Sequence, residues 1–122
     1  MKRLGGDGLG LPEIATALTE IGRHGTVSPA PVVLASAAVL LSLASEEQQD
    51  RYLSGLATGS VLTVALNEPG SSQPDRPATT LSGGVLNGTK LAAGYAADAE
   101  WLVVTADSGV AVVRGDADGI SM

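Results

Sequence analysis

The sequence predicts an α+β fold, in which an amino-terminal helical segment is followed by an antiparallel β-sheet or barrel. Two observations support this prediction. Apolar residues recur with a helical period through the first half of the chain, whereas after Gly59 they form short runs between glycine-rich turns. We therefore expect two parts, a helical one over residues 1–59 and a strand-rich one over residues 60–122.

The first predicted helix covers residues 12–24. Its apolar residues follow the i, i+3, i+4, i+7 spacing of one helix face: Leu11, Ile14, Ala15, Leu18 and Ile21. Pro12 suits the first turn of a helix, where its missing N–H has no partner to lose, and Gly25 is a typical stop signal. A helix with one apolar face is expected to pack that face against its neighbours.

The second predicted helix covers residues 31–44, PVVLASAAVLLSLA, and is apolar on nearly every face. At about 14 residues it is shorter than the roughly 20 needed to span a bilayer. A helix that is apolar all round belongs among other helices. We therefore expect it to be a central packing helix and not a membrane segment.

A third helix is predicted to begin after Ser45. Ser45 and Gln48 have the spacing of a capping box, in which each side chain bonds the backbone N–H of the other residue. We expect this helix to turn three apolar or aromatic residues inward: Tyr52, Leu53 and Leu56. Gly59 is placed to end it.

The strands are predicted after this helix. Residues 61–66 form a short, mostly apolar strand, and the stretch TTLSGGVLNGTK contains the turn signals Gly83-Gly84 and Asn87-Gly88 of a hairpin. Residues 101–106 and 110–113 predict a second hairpin across the sequence DSG. Hairpins are antiparallel, so we expect an antiparallel sheet.

Composition excludes several classes of function. The net charge of −6 and the pI near 4.5 argue against binding to nucleic acid or to an anionic membrane. Cysteine is absent, which excludes disulfides and thiolate metal sites and favours the cytoplasm. The start MKRLGGDGLG lacks the apolar region of a signal peptide. Asp116 and Asp118 lack the further ligands of a calcium loop, so we expect no metal site.

Aromatic residues are scarce, at 2% with no Phe, so the core must consist of Leu, Val, Ile and Ala. Aromatic side chains bury about 150–250 Å² each, and their absence leaves a thin core. The chain is therefore expected to be a portion of a larger protein or to depend on a partner.

Five stretches occur in the order and spacing of one known family: GGDGLGLPEIATALTEIGR, SEEQQDRYLSGLATGS, VALNEPGSS, LNGTK and AADAEWLVVTA. Together they resemble the acyl-CoA dehydrogenase family. The resemblance covers nearly the whole chain, from the later helices of the family's amino-terminal domain into its central β domain. It implies a partial acyl-CoA dehydrogenase fold.

The resemblance also implies an activity, the α,β-dehydrogenation of an acyl-CoA thioester with FAD as the cofactor. In the family, a glutamate of the carboxy-terminal helical domain removes the α proton. That domain has no counterpart before Met122, so we expect no catalytic residue in this chain and no turnover by it alone.

Flavin contacts of the family map onto six positions of this sequence: Leu66, Asn67, Ser72, Gln73, Ala92 and Gly94. Several depart from the family pattern. Asn67 replaces a threonine that bonds the flavin, SSQP replaces a loop of small residues, and Ala92 and Gly94 replace a tryptophan and a threonine beside the ring. A lost hydrogen bond costs about 0.5–1.5 kcal/mol and a lost aromatic face about 2–3 kcal/mol. We therefore expect weak FAD binding.

One branch of the family, the actinobacterial heteromeric enzymes of steroid side-chain degradation, pairs a flavin-binding subunit with a flavin-depleted one. The stretches ASEEQQDRYLSG and GYAADAEW resemble the depleted subunit. The resemblance implies FAD held mainly by a flavin-bearing paralogous partner, a steroid side-chain acyl-CoA thioester as substrate, and a hetero- or homo-oligomer. The alternative is a non-catalytic α+β assembly module that retains the packing of the family.

Other polar residues have structural interpretations. Glu68 precedes Pro-Gly and is expected to support the turn, while His24 is expected to close the first helix. Trp101 is expected to pack in a core or interface. Lys90 is interpreted as a solvent-exposed hairpin lysine in preference to a phosphate ligand.

Overall fold

A computed structural model of the chain describes residues 4–8 and 10–122, and the amino-terminal basic residues Lys2 and Arg3 lie outside them. The chain divides into two units, Met1–Ser60 and Val61–Met122. Among the described residues, every α-helix belongs to the first unit and every strand to the second. The predicted α+β fold is confirmed.

Helix α1 spans Leu11–Arg23, one residue earlier than predicted. The Gly10 N–H donates to Oε2 of Glu13 at 2.9 Å, which satisfies one of the amides that a helix start leaves unpaired. At the other end, the backbone N–H of His24 donates to the Glu20 carbonyl at 3.1 Å. His24 therefore ends the helix, as expected.

Helix α2 spans Ala30–Leu43 and is buried along one side only, at Ser36, Ala37 and Leu40. The Ser36 hydroxyl donates to the Val32 carbonyl at 2.7 Å, so this buried polar group is satisfied within the helix. Leu43 is 69% exposed. Within the described part of the chain, no helix is long and apolar enough to cross a membrane.

Helix α3 spans Glu46–Leu53 and begins with the predicted capping box. The Ser45 hydroxyl accepts from the Gln48 N–H at 3.3 Å, and Oε1 of Gln48 accepts from the Ser45 N–H at 2.9 Å. A 3₁₀ turn, Ser54–Thr58, follows and ends at Gly59 with φ 96°. This left-handed conformation carries a steric penalty in other residues, which explains the glycine.

The first unit has a small interior formed where α2 and α3 contact each other. Leu53 is 1% exposed, and Leu40 of α2 is also buried. Tyr52 and Leu56 are only half-buried. The inward prediction is therefore confirmed fully at Leu53 and in part at the other two positions.

The second unit contains five strands: β1 Leu62–Ala65, β2 Thr80–Ser82, β3 Val85–Asn87, β4 Trp101–Ala106 and β5 Gly109–Arg114. β1, β4 and β5 form one sheet in that order, and β2 pairs with β3 in a separate hairpin. Both predicted hairpins are confirmed. Gly83 and Gly84, with φ 57° and 78°, form the turn between β2 and β3, and both require the left-handed region.

The expectation of a wholly antiparallel sheet is wrong at one pairing. β1 and β4 run parallel, with Leu62 opposite Trp101 and Ala65 opposite Val104. A parallel pair needs a connection of about a dozen residues or more, and residues 66–100 supply it. β4 lies between two strands, which explains why it is buried at every position except Thr105.

The buried cluster of the second unit is aliphatic, as the composition predicts. Ala65, Ala99, Leu102 and Val104 form one buried cluster. Val113 of β5 packs against it.

Candidate functional site

The loop after β1 begins with a tight turn over Glu68-Pro69-Gly70-Ser71. The Glu68 N–H donates to the Ser71 carbonyl at 2.9 Å, and the Ser71 N–H donates to the Glu68 carbonyl at 3.0 Å. Gly70 has φ 81°, and proline followed by a glycine with positive φ is typical of a type II turn. The local sequence therefore determines this turn.

Asn67 uses its side chain within the same loop. Its Oδ1 accepts from the Ser72 hydroxyl at 3.2 Å and from the Gln73 N–H at 3.2 Å. Gln73 has φ 49°, an uncommon conformation for a residue with a side chain. The Asn67 side chain thus acts as an internal acceptor that keeps the loop folded back on itself.

A second segment meets this loop through the backbone. The Leu91 N–H donates to the Asn67 carbonyl at 2.8 Å, which brings Ala92, with φ 53°, next to the loop. Gly94 is held elsewhere, because its carbonyl accepts from the Thr63 hydroxyl of β1 at 2.6 Å. Ala92 therefore lies beside the loop that contains four of the predicted positions: Leu66, Asn67, Ser72 and Gln73. Gly94 instead accepts a hydrogen bond from the middle of β1.

Beneath the loop lies a buried carboxylate. Glu68 is 6% exposed. Its Oε1 accepts from the Thr79 N–H at 3.0 Å, the Thr79 hydroxyl at 2.6 Å and Lys90 Nζ at 2.8 Å, and its Oε2 accepts from the Ala78 N–H at 2.6 Å. Four donors therefore occupy this side chain, which reaches across the loop to the segment before β2.

Lys90 is the cation of this pair, and its side chain is 10% exposed. Nζ donates to Glu68, to the Thr105 hydroxyl at 2.9 Å and to the Leu66 carbonyl at 3.5 Å. The interpretation of Lys90 as a solvent-exposed hairpin lysine is wrong, because the chain after β3 turns inward and the ammonium has three acceptors, two on the loop after β1 and one on β4. Buried ammonium groups require such partners.

Sequence reasoning missed the Glu68–Lys90 pair, as well as Thr79 and Thr105. One signal was present, since an acid three residues after the end of a buried strand needs a partner if it is itself buried. The cations of the second half of the chain are Arg76, Lys90 and Arg114. Nothing in the local pattern identifies which of the three reaches Glu68.

The donors around Glu68 fix its ionisation. The Lys90 ammonium, then the Thr79 hydroxyl and the Ala78 N–H, lower the pKa of Glu68 from 4.5 to about 2. The carboxylate is therefore ionised at neutral pH, and its oxygens are already engaged. It is not placed to accept a proton from a substrate, which agrees with its predicted structural role.

The remaining candidates have structural partners. Trp101 is buried, and the Arg114 guanidinium lies 5.6 Å from the centre of its ring. Arg114 also bonds both carboxylate oxygens of Asp116, at 2.7 and 2.9 Å. In the part of the chain that the structure describes, no group of three or more His, Cys, Asp or Glu side chains is arranged to hold a metal ion.

The loop does not fit a conventional flavin site. The amides of Glu68, Ser71 and Gln73 already donate within the loop, and Oδ1 of Asn67 is engaged there too. Ala92 offers no aromatic wall, and the Gly94 carbonyl is bonded to Thr63. With the loop in this conformation, the amides of Glu68, Ser71 and Gln73 are not available to a flavin ring.

Comparison with known proteins defines the family. Residues 1–60 match the family described as acyl-CoA dehydrogenase, N-terminal domain. The chain is 59% identical over 122 residues to acyl-CoA dehydrogenase FadE28 of Mycobacterium tuberculosis, a match that covers 99% of this chain and 36% of FadE28. It is 36% identical over 113 residues to acyl-CoA dehydrogenase FadE27 of the same organism, covering 89% of this chain and 30% of FadE27.

Solved structures agree in fold. A variant of the Tcur3481-Tcur3483 steroid ACAD matches with a TM-score of 0.85 and 34% identity, covering 99% of this chain and 36% of the solved chain. The ChsE4-ChsE5 complex from Mycobacterium tuberculosis matches with a TM-score of 0.79 and 27% identity, covering 98% and 35%.

The chain thus has the helical and strand-bearing parts of an acyl-CoA dehydrogenase, and it belongs to that family. It is similar to FadE28, to a chain of the Tcur3481-Tcur3483 steroid ACAD and to a chain of the ChsE4-ChsE5 complex. It spans about a third of the length of the curated relatives it matches.

Proposed function

We propose that this chain acts within one subunit of a heteromeric acyl-CoA dehydrogenase whose FAD is held mainly by a flavin-bearing partner subunit. The observation that carries the proposal is the internal bonding of the loop after β1. Asn67 stands at the position of the flavin-bonding threonine, and its Oδ1 accepts from Ser72 and Gln73 of the same loop. This chain then supplies a rigid surface near the cofactor and no primary contacts to it.

The proposal assigns residues 1–59 to part of the amino-terminal helical domain and residues 60–122 to part of the central β domain. Its substrate class is the CoA thioester of a steroid side chain. The similarity to the Tcur3481-Tcur3483 steroid ACAD supports this substrate class. The two-part names of that protein and of the ChsE4-ChsE5 complex support a heteromeric assembly. The cysteine-free composition is consistent with a cytoplasmic enzyme.

No proton-transfer step is assigned to this chain. Glu68 is the buried acid of the described residues, and its carboxylate is ionised and engaged by four donors. General-base catalysis needs an acceptor within hydrogen-bond reach of the substrate proton, and a fully engaged carboxylate does not provide one. The base and the flavin chemistry are therefore assigned to the remainder of the assembly.

A second candidate function is a non-catalytic assembly module. The observation that favours it is the exposure of large apolar side chains on the helical unit, with Leu11 80%, Val27 87% and Leu43 69% exposed. Exposed apolar surface is typical of a protein interface. Such a module would bind its partner without influencing the bound cofactor.

Co-expression with a flavin-motif-bearing paralogue of this family tests both candidates. Size exclusion with a visible absorption scan should show the chain co-eluting with a yellow partner, and each subunit expressed alone provides the control. FAD should remain with the partner more tightly in the complex than in the partner alone. Co-elution with no change in flavin retention would favour the assembly module, and stoichiometric FAD on this chain alone would overturn the main proposal.

A further inference from the structure

One ammonium group links the two segments of the candidate site. Lys90 immediately precedes Leu91 and Ala92, and its Nζ bonds the Leu66 carbonyl, the Glu68 carboxylate and the Thr105 hydroxyl of β4. The loop after β1, residues 66–73, and the segment 90–94 are therefore joined through a single buried side chain. The Leu91–Asn67 backbone bond lies directly beside it.

Glu68 extends this linkage to the residues that directly precede β2. Its carboxylate accepts from the backbone N–H groups of Ala78 and Thr79 at 2.6 and 3.0 Å, after the chain has passed through residues 69–77. The beginning and the end of the connection between β1 and β2, residues 66–79, are thus attached to one ion pair. Movement of either segment would break several charge-assisted bonds together.

Stability alone does not explain a buried pair of this kind. Replacing a buried ion pair with apolar residues of similar volume is often neutral or stabilising, because the two charges lose their hydration on folding. A network in which each polar group is satisfied, however, permits one arrangement and disfavours others. No buried side-chain oxygen or nitrogen of the described residues lacks a partner.

We propose that Glu68 and Lys90 are positioning residues that hold the loop 66–73 and the segment 90–94 in one fixed arrangement. The functional part of this inference rests on the proposed function, in which that arrangement is the surface presented to the partner's flavin. The pair acts through the backbone of its neighbours and does not itself touch the substrate.

Hydrogen exchange of individual amides tests the arrangement without flavin or partner. In Lys90→Met, the amides of Ser71, Gln73 and Leu91 should exchange at least tenfold faster than in the wild type at a temperature where both proteins are folded. The amide of Gly115, which donates to the Glu100 carbonyl at 2.9 Å, should be unchanged. Arg114→Met, which breaks an exposed ion pair, is the matched control and should leave the loop amides unchanged.

Two milder variants apply if Lys90→Met does not fold. Thr105→Val removes one acceptor from Lys90, and Thr79→Val removes one donor from Glu68. Each should accelerate exchange at the same loop amides by a few-fold. An equal acceleration throughout the second unit would show that the pair contributes only to stability, and no acceleration would show that it does not hold the loop. Either result would overturn the proposal.

A charge-reversed double variant, E68K/K90E, distinguishes positioning from simple charge pairing. The N–H groups of Ala78 and Thr79 would then face an ammonium, which cannot accept a hydrogen bond. Fast loop exchange should therefore persist, and full recovery of protection would contradict the proposal. Failure of this exchange test is distinct from failure of the co-expression test, which depends on the partner and the flavin.

Discussion

Gly115 lies directly against the carbonyl oxygen of Ala99, and a Cβ atom at position 115 would overlap with that oxygen. The Gly115 N–H also donates to the Glu100 carbonyl at 2.9 Å, which extends the pairing of the two strands by one residue before β4 and one residue after β5. The close approach is between backbone atoms, so no side-chain rotation can relieve it. Ala99 belongs to the buried cluster, and the strain would reach the core.

Gly115→Ala should therefore destabilise the protein, by about 1–3 kcal/mol or more, as expected for an overpacked site. Urea denaturation followed by circular dichroism measures the change. Gly22→Ala is the control, since Gly22 lies in α1 with open space around it. That substitution should stabilise α1 by about 0.5–1 kcal/mol. Equal stability of the two variants would contradict the packing argument.

Acid should weaken the fold through Glu68. The folded-state pKa, about 2, lies below the ordinary value of 4.5, so the carboxylate contributes stability that is present above pH 4.5. The contribution is lost as the pH falls through the folded-state value. Denaturation between pH 6 and pH 2 should show a falling free energy of unfolding over this window.

The Glu68→Gln variant should have a shallower pH dependence over the same window and lower stability at neutral pH. Its amide can present an N–H₂ group to the Ala78 N–H, and two donors cannot bond each other. If the variant and the wild type have the same slope between pH 4.5 and pH 2, another acid is responsible for the acid sensitivity.

The isolated chain should purify without colour. Asn67 already bonds Ser72 and Gln73, and Ala92 provides no aromatic face for a flavin ring. A visible absorption spectrum of the purified chain, with a flavin-binding acyl-CoA dehydrogenase as the positive control, measures this. About one bound FAD per chain would show that the loop opens for the cofactor.

The chain should also associate in solution. Val27 and Leu43 expose 87% and 69% of their surface, and burial of apolar area contributes roughly 25 cal/mol per Å². Light scattering at micromolar concentration should give a mass above 12.1 kDa. The double variant Val27→Ser/Leu43→Ser should shift this mass toward the monomer. A wild-type chain that remains monomeric and does not bind a hydrophobic dye would contradict the prediction.

Local signals in the sequence were sufficient for the elements. The Ser45–Gln48 capping box, Gly59 and the Gly83-Gly84 turn each act over a few residues, and each has the predicted conformation. The parallel pairing of β1 with β4 was not predictable in this way. It depends on a long connection, and no local pattern specifies which strands a long connection brings together.

In the candidate site, too, local features were predictable and long-range contacts were not. The turn at Pro69-Gly70 follows from its two residues, whereas the positions proposed to face the flavin came from family resemblance and stay predictions. The burial of Lys90 was missed, because its acceptors lie on two segments distant from it in the sequence, the loop after β1 and β4. A sequence pattern shows which residue types could form such a network, but it does not show which of them are in contact in the folded chain.

The order of the strands also affects how the protein is synthesised. β1 leaves the ribosome before β4, its only sheet partner in the described part of the chain, and residues 66–100 must be translated between them. At 5–20 residues per second this takes roughly 2–7 s. Proteolysis of stalled nascent chains that end before or after β4 would detect the change in protection. Until β4 has been translated, β1 is an apolar segment without its sheet partner, and unpaired strand edges of this kind are prone to aggregation.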